Sequence, residues 1–569
     1  MRPDAAFDYV IAGGGSAGCA LAARLAEAGD ATVLLVEAGG PGGGLFSRMP
    51  AGNGFIFGNP RYDWGFSSTP QQGLDGRQIY YPRGRGLGGS SLMNGMIYIR
   101  GHASDYDRWA QMSLPGWSYG DLLPYFRRSA GASHRRGNPF HSDDGPLKLT
   151  PARNFEAVDR AFVAACMEAG ASANDDFNGA RQEGAGRLDT KVWRGVRQSS
   201  AEAYLARRPP NLTVLTDSTV LRVAMEGTRA VGLVLSGGTV RARREVVLCM
   251  GAFGSPQCLM LSGIGPADHL REHGIAPLVD LPGVGARLLD HPNMPMQFAL
   301  QRPELSMARY QRIDRAAWMG LRWLLAHGGP AAAPFWSSVL FHALRDTDMP
   351  ELEVFCTPMI VREAPGAKRF TLQSLLSAGK AVIARGKTAE PGLQFDINLL
   401  RPLSAGTVRL ASADPGDAPR IDPGYFREGA DLDDLVAGVR HMREVASRPA
   451  LAGIAGIELS PGPEVHSDAD LRRAVRQLAT TGHHPVATCR MGGDHDRGAV
   501  LDAALRVRGV EGLRVADASS FPEQISGNVG APVLMLAEKA ADLILGRPAP
   551  PPEDPRTDRA AGGGGDRAP

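Results

Sequence analysis

Apolar and polar positions alternate in two rhythms at the start of the chain. Residues 7–12 (FDYVIA) form a short apolar run of strand length. Residues 19–29 (CALAARLAEAG) then place alanine and leucine at helical spacing and stop at Gly29, and residues 32–40 (TVLLVEAGG) return to a strand pattern that reaches Glu37. Strand, helix and strand in this order predict the opening of a doubly wound α/β sheet. Residues 242–256 (ARREVVLCMGAFGSP) repeat the logic, running from a strand through a glycine turn into a helix. The segment from 547 to 569 (RPAPPPEDPRTDRAAGGGGDRAP) has almost nothing to bury and reads as a disordered tail.

Between the first strand and helix lies Gly13-Gly-Gly15-Ser16-Ala17-Gly18, a G-x-G-x-x-G loop. Gly13 permits the tight turn, Gly15 admits a pyrophosphate against the backbone, and Gly18 lets the helix approach the sheet. The free N–H groups and dipole of the helix N-terminus suit phosphate. Glu37 and Ala38 end the next strand, where a carboxylate accepts hydrogen bonds from an adenosine ribose. The fingerprint's place at the extreme N-terminus, with Glu as the acid, favours FAD over NAD.

Length and charge narrow the class. At 569 residues and 60.4 kDa the chain exceeds one ordinary core, so two joined domains are expected. A net charge of +2 gives no reason to expect nucleic acid as a partner. Six scattered cysteines, with no Cys-x-x-Cys pair, suggest neither a metal site nor a disulfide framework. No secretory leader and no bilayer-length apolar run is evident, so the chain reads as cytoplasmic, with peripheral membrane contact left open.

Two further stretches bear on identity: residues 84–101 (GRGLGGSSLMNGMIYIRG) and 251–265 (GAFGSPQCLMLSGIG). With the N-terminal fingerprint they resemble the signature segments of the glucose–methanol–choline (GMC) family of flavin oxidoreductases. The resemblance runs from residue 7 to 546. It implies an FAD-binding domain with a Rossmann-like sheet, built from residues 1–155, 205–290 and 495–546. An interleaved substrate domain, residues 156–204 and 291–494, is implied with an antiparallel sheet covered by helices. It further implies that Asn94, Gly95, Met96 and Ile97 lie along the isoalloxazine. Val220 then meets the adenine through its backbone, and Asp517 and Ala518 close over the pyrophosphate. Where some relatives carry the histidine that binds FAD covalently, this chain has Met93, so dissociable FAD is expected.

The stretch from 480 to 492 (TTGHHPVATCRMG) resembles the family's histidine segment and places His484 at the catalytic position. A neutral imidazole suits removal of a hydroxyl proton while hydride leaves the alcohol carbon. The neighbouring His483 reads as a pocket wall. The usual second His or Asn maps onto Gly530, with Asn528 matching an asparagine two residues earlier. A water, His483 or a moved Asn528 then remain as substitutes. Trp336 stands where choline-using members carry glutamate, which argues against choline and for apolar or aromatic alcohols. Residues 367–391 read as a longer loop or short helix near the pocket mouth.

The expected activity is oxidation of a primary alcohol to an aldehyde, with oxygen or a quinone as acceptor. Gly530 keeps open a relative with a non-redox net reaction, such as a fatty-acid photodecarboxylase or a hydroxynitrile lyase.

Overall fold

The computed structural model describes residues 5–311, 313–363, 382–384 and 387–556. The strand Ala6–Ala12 sits inside a seven-stranded sheet, with Val33–Val36 parallel on one side and Gly238–Leu248 parallel on the other. Leu212–Leu215 extends one edge in parallel, and Leu513–Val515 pairs in parallel with Gly238–Leu248. A meander, Val220–Glu226, Arg229–Leu235 and Gly238–Leu248, forms the other side and leaves Val220 on the edge strand. The apolar runs are buried on both faces, as a parallel sheet flanked by helices requires.

Small residues set the spacing on one flank. The helix Ser16–Glu27 buries five alanines and packs against Gly530–Leu545, the last long helix, so the two approach closely. Glu538 is fully buried between them and accepts from Arg24 Nε at 2.9 Å, Arg128 Nε at 2.7 Å and the Tyr204 hydroxyl at 2.8 Å. One carboxylate thus ties together the helices Ser16–Glu27, Tyr119–Ser129 and Gly530–Leu545.

A second sheet of seven strands is antiparallel throughout. Its order is Ala455–Ser460, Pro292–Leu300, Leu393–Leu399, Leu352–Thr357, Ser338–His342 and Gly184–Arg187, with Thr480–Thr481 added on Pro292–Leu300. Leu352, Val354 and Cys356 alternate toward the core under the helix Gly429–Ser447. Phe355 faces the other way, onto Ile97 and its neighbours. Period-two alternation therefore gives this sheet one face for its helices and one for the glycine-rich segment.

Residues 547–556 depart from the expected disorder. They lie along the helices Ala103–Gln111 and Tyr119–Ser129, where Glu553 N donates to Gly120 O at 2.9 Å and the Arg556 guanidinium stacks 4.8 Å from the Tyr119 ring. Prolines stiffen this stretch, so docking costs little chain entropy. The rest of the tail, 557–569, lies outside the described residues, as does most of 367–391. Within the latter, Val382–Ala384 and Lys387–Glu390 are strands of a small sheet. No helix among the described residues is long and apolar enough to cross a membrane.

Close packing at the first loop explains its glycines. A Cβ on Gly18 would stand 1.9 Å from Gly13 O, and one on Gly13, whose φ is +99°, would stand 2.5 Å from Cys249 O. Gly18→Ala is expected to emerge from purification without the visible flavin band. Full cofactor content in that variant, read from the visible-to-ultraviolet absorbance ratio, would refute the packing argument.

Glu353 yields a second expectation. It is buried between Phe341 and Asn398, its carboxylate has no hydrogen-bond partner among the described residues, and burial pushes its pKa up to about 8. The folded state thus holds the proton more tightly than the unfolded chain does. Stability from this group is intact below pH 4.5 and falls as pH rises toward 8. Glu353→Gln should unfold at a higher denaturant midpoint than the parent at pH 8 and show little gain at pH 4.5.

Candidate active site

Two His-Pro pairs meet where the segments around 289–293 and 480–486 run antiparallel. Pro292 pairs with Thr481, Leu289 bridges Val486, and Gly482 N donates to His291 O at 2.7 Å. This register brings His291 beside His484, with Nδ1 of each ring 3.0 Å from the other. The rings meet edge to face, their centroids 5.1 Å apart.

The backbone of His484 is anchored by Asp290. Its Oδ1 accepts from His484 N at 2.7 Å, and its Oδ2 accepts from Tyr425 OH and Thr481 Oγ1 at 2.6 Å and from Tyr81 OH at 2.9 Å. Burial raises the Asp290 pKa against the pull of these donors and of Arg83. Gln524 Nε2 donates to His484 O at 2.9 Å.

Hydrogen-bond logic then fixes the tautomers. His291 Nε2 lies 3.1 Å from Ile525 O, and a carbonyl can only accept, so this nitrogen carries a proton. Burial pulls the His291 pKa down to about 3, leaving the ring neutral and its Nδ1 an acceptor. His484 Nδ1 must therefore donate, which leaves its Nε2 with a lone pair. Asn528 Nδ2 stands 3.0 Å from that Nε2 and donates to it. The His484 pKa is held well below its ordinary value by burial first, then by His291, His483, Arg83 and Lys191.

This geometry narrows the choice of partner. Of the substitutes left open for the side chain missing at Gly530, Asn528 is the one that stands beside His484. Gly530 instead begins the helix Gly530–Leu545, and a Cβ there would stand 2.9 Å from Lys191 Nζ and 3.9 Å from Asn94 Nδ2. His483 is exposed with φ +68°; its N donates to Thr481 Oγ1 and its O accepts from Arg83. Trp336 lies against the glycine-rich segment, 3.1 Å from where a Cβ on Gly95 would stand, and its Nε1 is 3.4 Å from Asp396 Oδ2.

The residues around the first loop fit the dinucleotide. Open space remains at Gly15, where an added Cβ would meet no atom closer than 3.8 Å. Glu37 is 6% exposed and accepts from the N–H groups of Gly14, Gly39 and Gly86 at 2.8–2.9 Å. It thereby joins the two glycine loops and keeps one of its roughly four lone-pair sites for a ribose hydroxyl. Ala38 O accepts from Arg85, fastening the loop from behind. Asp517, also buried, accepts from Gly251 N and from Ser255 and Ser519, and so pins the turn carrying Ala518 to the helix Gly251–Leu261. Asn94 Oδ1 accepts from Met96 N, and Met96 takes φ +61°, which bends the segment sharply before Ile97.

Sequence reasoning missed His291, Asp290, Lys191 and Arg197. The repeated His-Pro pairs, at 291–292 and 484–485, were a usable signal for the first. A lysine between two short strands and an arginine ending another carried none.

Residues 7–293 match the family described as GMC oxidoreductase in its N-terminal part, and residues 402–537 match its C-terminal part. The oxygen-dependent choline dehydrogenase of Brucella ovis is 38% identical over 547 residues, covering 95% of this chain and 96% of that one. Oxygen-dependent choline dehydrogenase 1 of Chromohalobacter salexigens is 40% identical over 560 residues, covering 96% of each. Among solved structures, pyridoxine 4-oxidase from Mesorbium loti is similar with a TM-score of 0.80 and 32% identity, covering 94% of this chain and 98% of that one. The chain belongs to the GMC oxidoreductase family and is an FAD-dependent oxidoreductase acting on alcohol CH–OH groups.

Proposed function

We propose that this enzyme oxidises a primary alcohol to its aldehyde with His484 Nε2 as the base. The observation that carries the reading is the Ile525–His291–His484 hydrogen-bond chain, which leaves a lone pair on Nε2 in a buried site. Bound FAD supplies the acceptor for the hydride that leaves the alcohol carbon. The substrate hydroxyl takes the place on Nε2 that Asn528 holds in the free site, and Asn528 Nδ2 then donates to the substrate oxygen. His484 Nε2 removes the hydroxyl proton as the carbon–hydrogen bond breaks, and His291 Nδ1 accepts from the resulting imidazolium throughout. Asp290 keeps the ring from withdrawing by holding its backbone.

The case against choline loses its ground. It rested on the glutamate replaced by Trp336, yet Asp396 brings a carboxylate to the indole's edge. An aromatic face with a carboxylate beside it suits an alcohol bearing a cationic nitrogen. The relatives named for choline make this the class to try first. Oxygen, carried in the same names, is the acceptor we propose. Nothing supports the non-redox alternative, since Asn528 fills the role whose supposed vacancy suggested it. With Met93 in place of a covalent ligand, FAD is held by contacts alone, and acid precipitation should release it into the supernatant.

His484→Ala is expected to slow anaerobic flavin reduction by about 10²–10⁴-fold at unchanged FAD content. Normal reduction in that variant would remove His484 as base. Asn528→Ala should lose less and should raise KM as well as lower kcat. A depressed His484 pKa keeps the base neutral through the physiological range, so activity should fail only on acidification. The acid limb of kcat/KM should therefore lie below pH 6.5, the ordinary imidazole value; a limb above it would contradict the buried neutral pair.

A further inference from the structure

Lys191 sits between the short strands Asp189–Thr190 and Val192–Trp193, with its N donating to Met96 O at 2.7 Å and its O accepting from Gln198 N at 2.9 Å. The residue is 4% exposed, and its ammonium has no hydrogen-bond partner among the described residues. Its Nζ comes within 2.9 Å of the Cβ position of Gly530, the first residue of a sixteen-residue helix with no side-chain cap. The N–H groups of Gly530 and Ala531 have no acceptor among the described residues, and Pro532 has no N–H.

Arg197 adds a second buried cation on the same side. It donates to Asn94 O at 2.6 Å, to Asn94 Oδ1 at 3.2 Å and to Asn53 Oδ1, all neutral groups. Burial and Arg197 pull the Lys191 pKa down to about 7, and burial pulls that of Arg197 to about 9. A buried cation without a counter-charge is costly, and the cost is relieved only when an anion shares the pocket. Lysine, free N–H groups and Asn94 Nδ2 converge beside the segment Asn94 to Ile97, and the lysine's charge also reaches His484.

We propose that Lys191, with the N-terminus of the helix Gly530–Leu545, is the charge partner for the negative charge the isoalloxazine holds once a hydride has been delivered to it. Absence of a side chain at position 530 is what makes room for the ammonium. Lys191 thereby favours reduction of the cofactor without touching the alcohol. This inference rests on the FAD assignment and not on the base or the alcohol, so its test uses neither.

The test is sulfite titration together with the two-electron midpoint potential of the purified holoenzyme. Sulfite's lone pair forms a bond to the flavin and leaves the ring negatively charged, bleaching its visible band. Lys191→Met should weaken sulfite binding about tenfold or more and lower the potential by about 30 mV per tenfold, whereas Lys191→Arg should stay near the parent. Gly530→Ala keeps the lysine but drives its Nζ from its place, and should move both readouts in the same direction by less. It serves as the deciding variant if Lys191→Met does not retain FAD. Parental sulfite affinity and potential in the variants that hold FAD would overturn the proposal.

Discussion

Everything in the active site hangs from the carboxylate of Asp290. It is buried, and its four donors come from three separate parts of the chain: Tyr81, Tyr425, and the segment holding Thr481 and His484. A buried carboxylate stripped of such donors would be strongly unfavourable, so each donor is held where the carboxylate needs it. The consequence is positional. His484 is fixed at its backbone by the same group that ties Tyr81 and Tyr425 to the strand Thr480–Thr481, and its ring is left to be aimed by His291.

That aim comes from a carbonyl rather than from an acid. A carboxylate behind the pair would favour an imidazolium; Ile525 O only selects which nitrogen of His291 carries the proton. The choice passes through His291 to His484 and emerges as a lone pair at Nε2. A neutral relay of this kind suits a base that must be unprotonated before substrate arrives. It also explains why two adjacent histidines in the sequence have different fates. His484 turns inward and is 9% exposed, whereas His483, in the left-handed region, serves the chain through its backbone N and O.

Much of the fold was legible because its signals are local. The run from residue 7 to 40 writes strand, glycine loop, helix and strand in contiguous residues, and Gly13, Gly18 and Glu37 stand where that pattern places them. His484 was legible for a similar reason, since its flanking motif is short and ordered. That Asn528, among the substitutes left open, is the one beside His484 was not legible, because it is settled only by the distance between two segments 44 residues apart. The docked residues 547–556 were missed because proline and charge suggest disorder, while the surface that receives them, at Asp107, Gly120 and Tyr119, lies more than 400 residues away in sequence. His291, Asp290 and Lys191 belong to the same class: their chemistry exists only once distant segments meet.

The site also shows how one chain separates two kinds of charge. On the Nε2 side, a neutral histidine pair and an amide make the direct contacts, so no charged group is hydrogen-bonded to the base. On the Asn94 side, Arg197 and Lys191 sit buried against carbonyls, amides and a helix N-terminus, with no carboxylate among the described residues bonded to either. A carboxylate there would neutralise the cations in the resting state and cancel their effect later. Leaving them unpaired makes the resting protein less comfortable and the charged state of the site more so. Differential stabilisation of this kind is what accelerates a reaction, because only interactions stronger after the charge appears than before it lower the barrier.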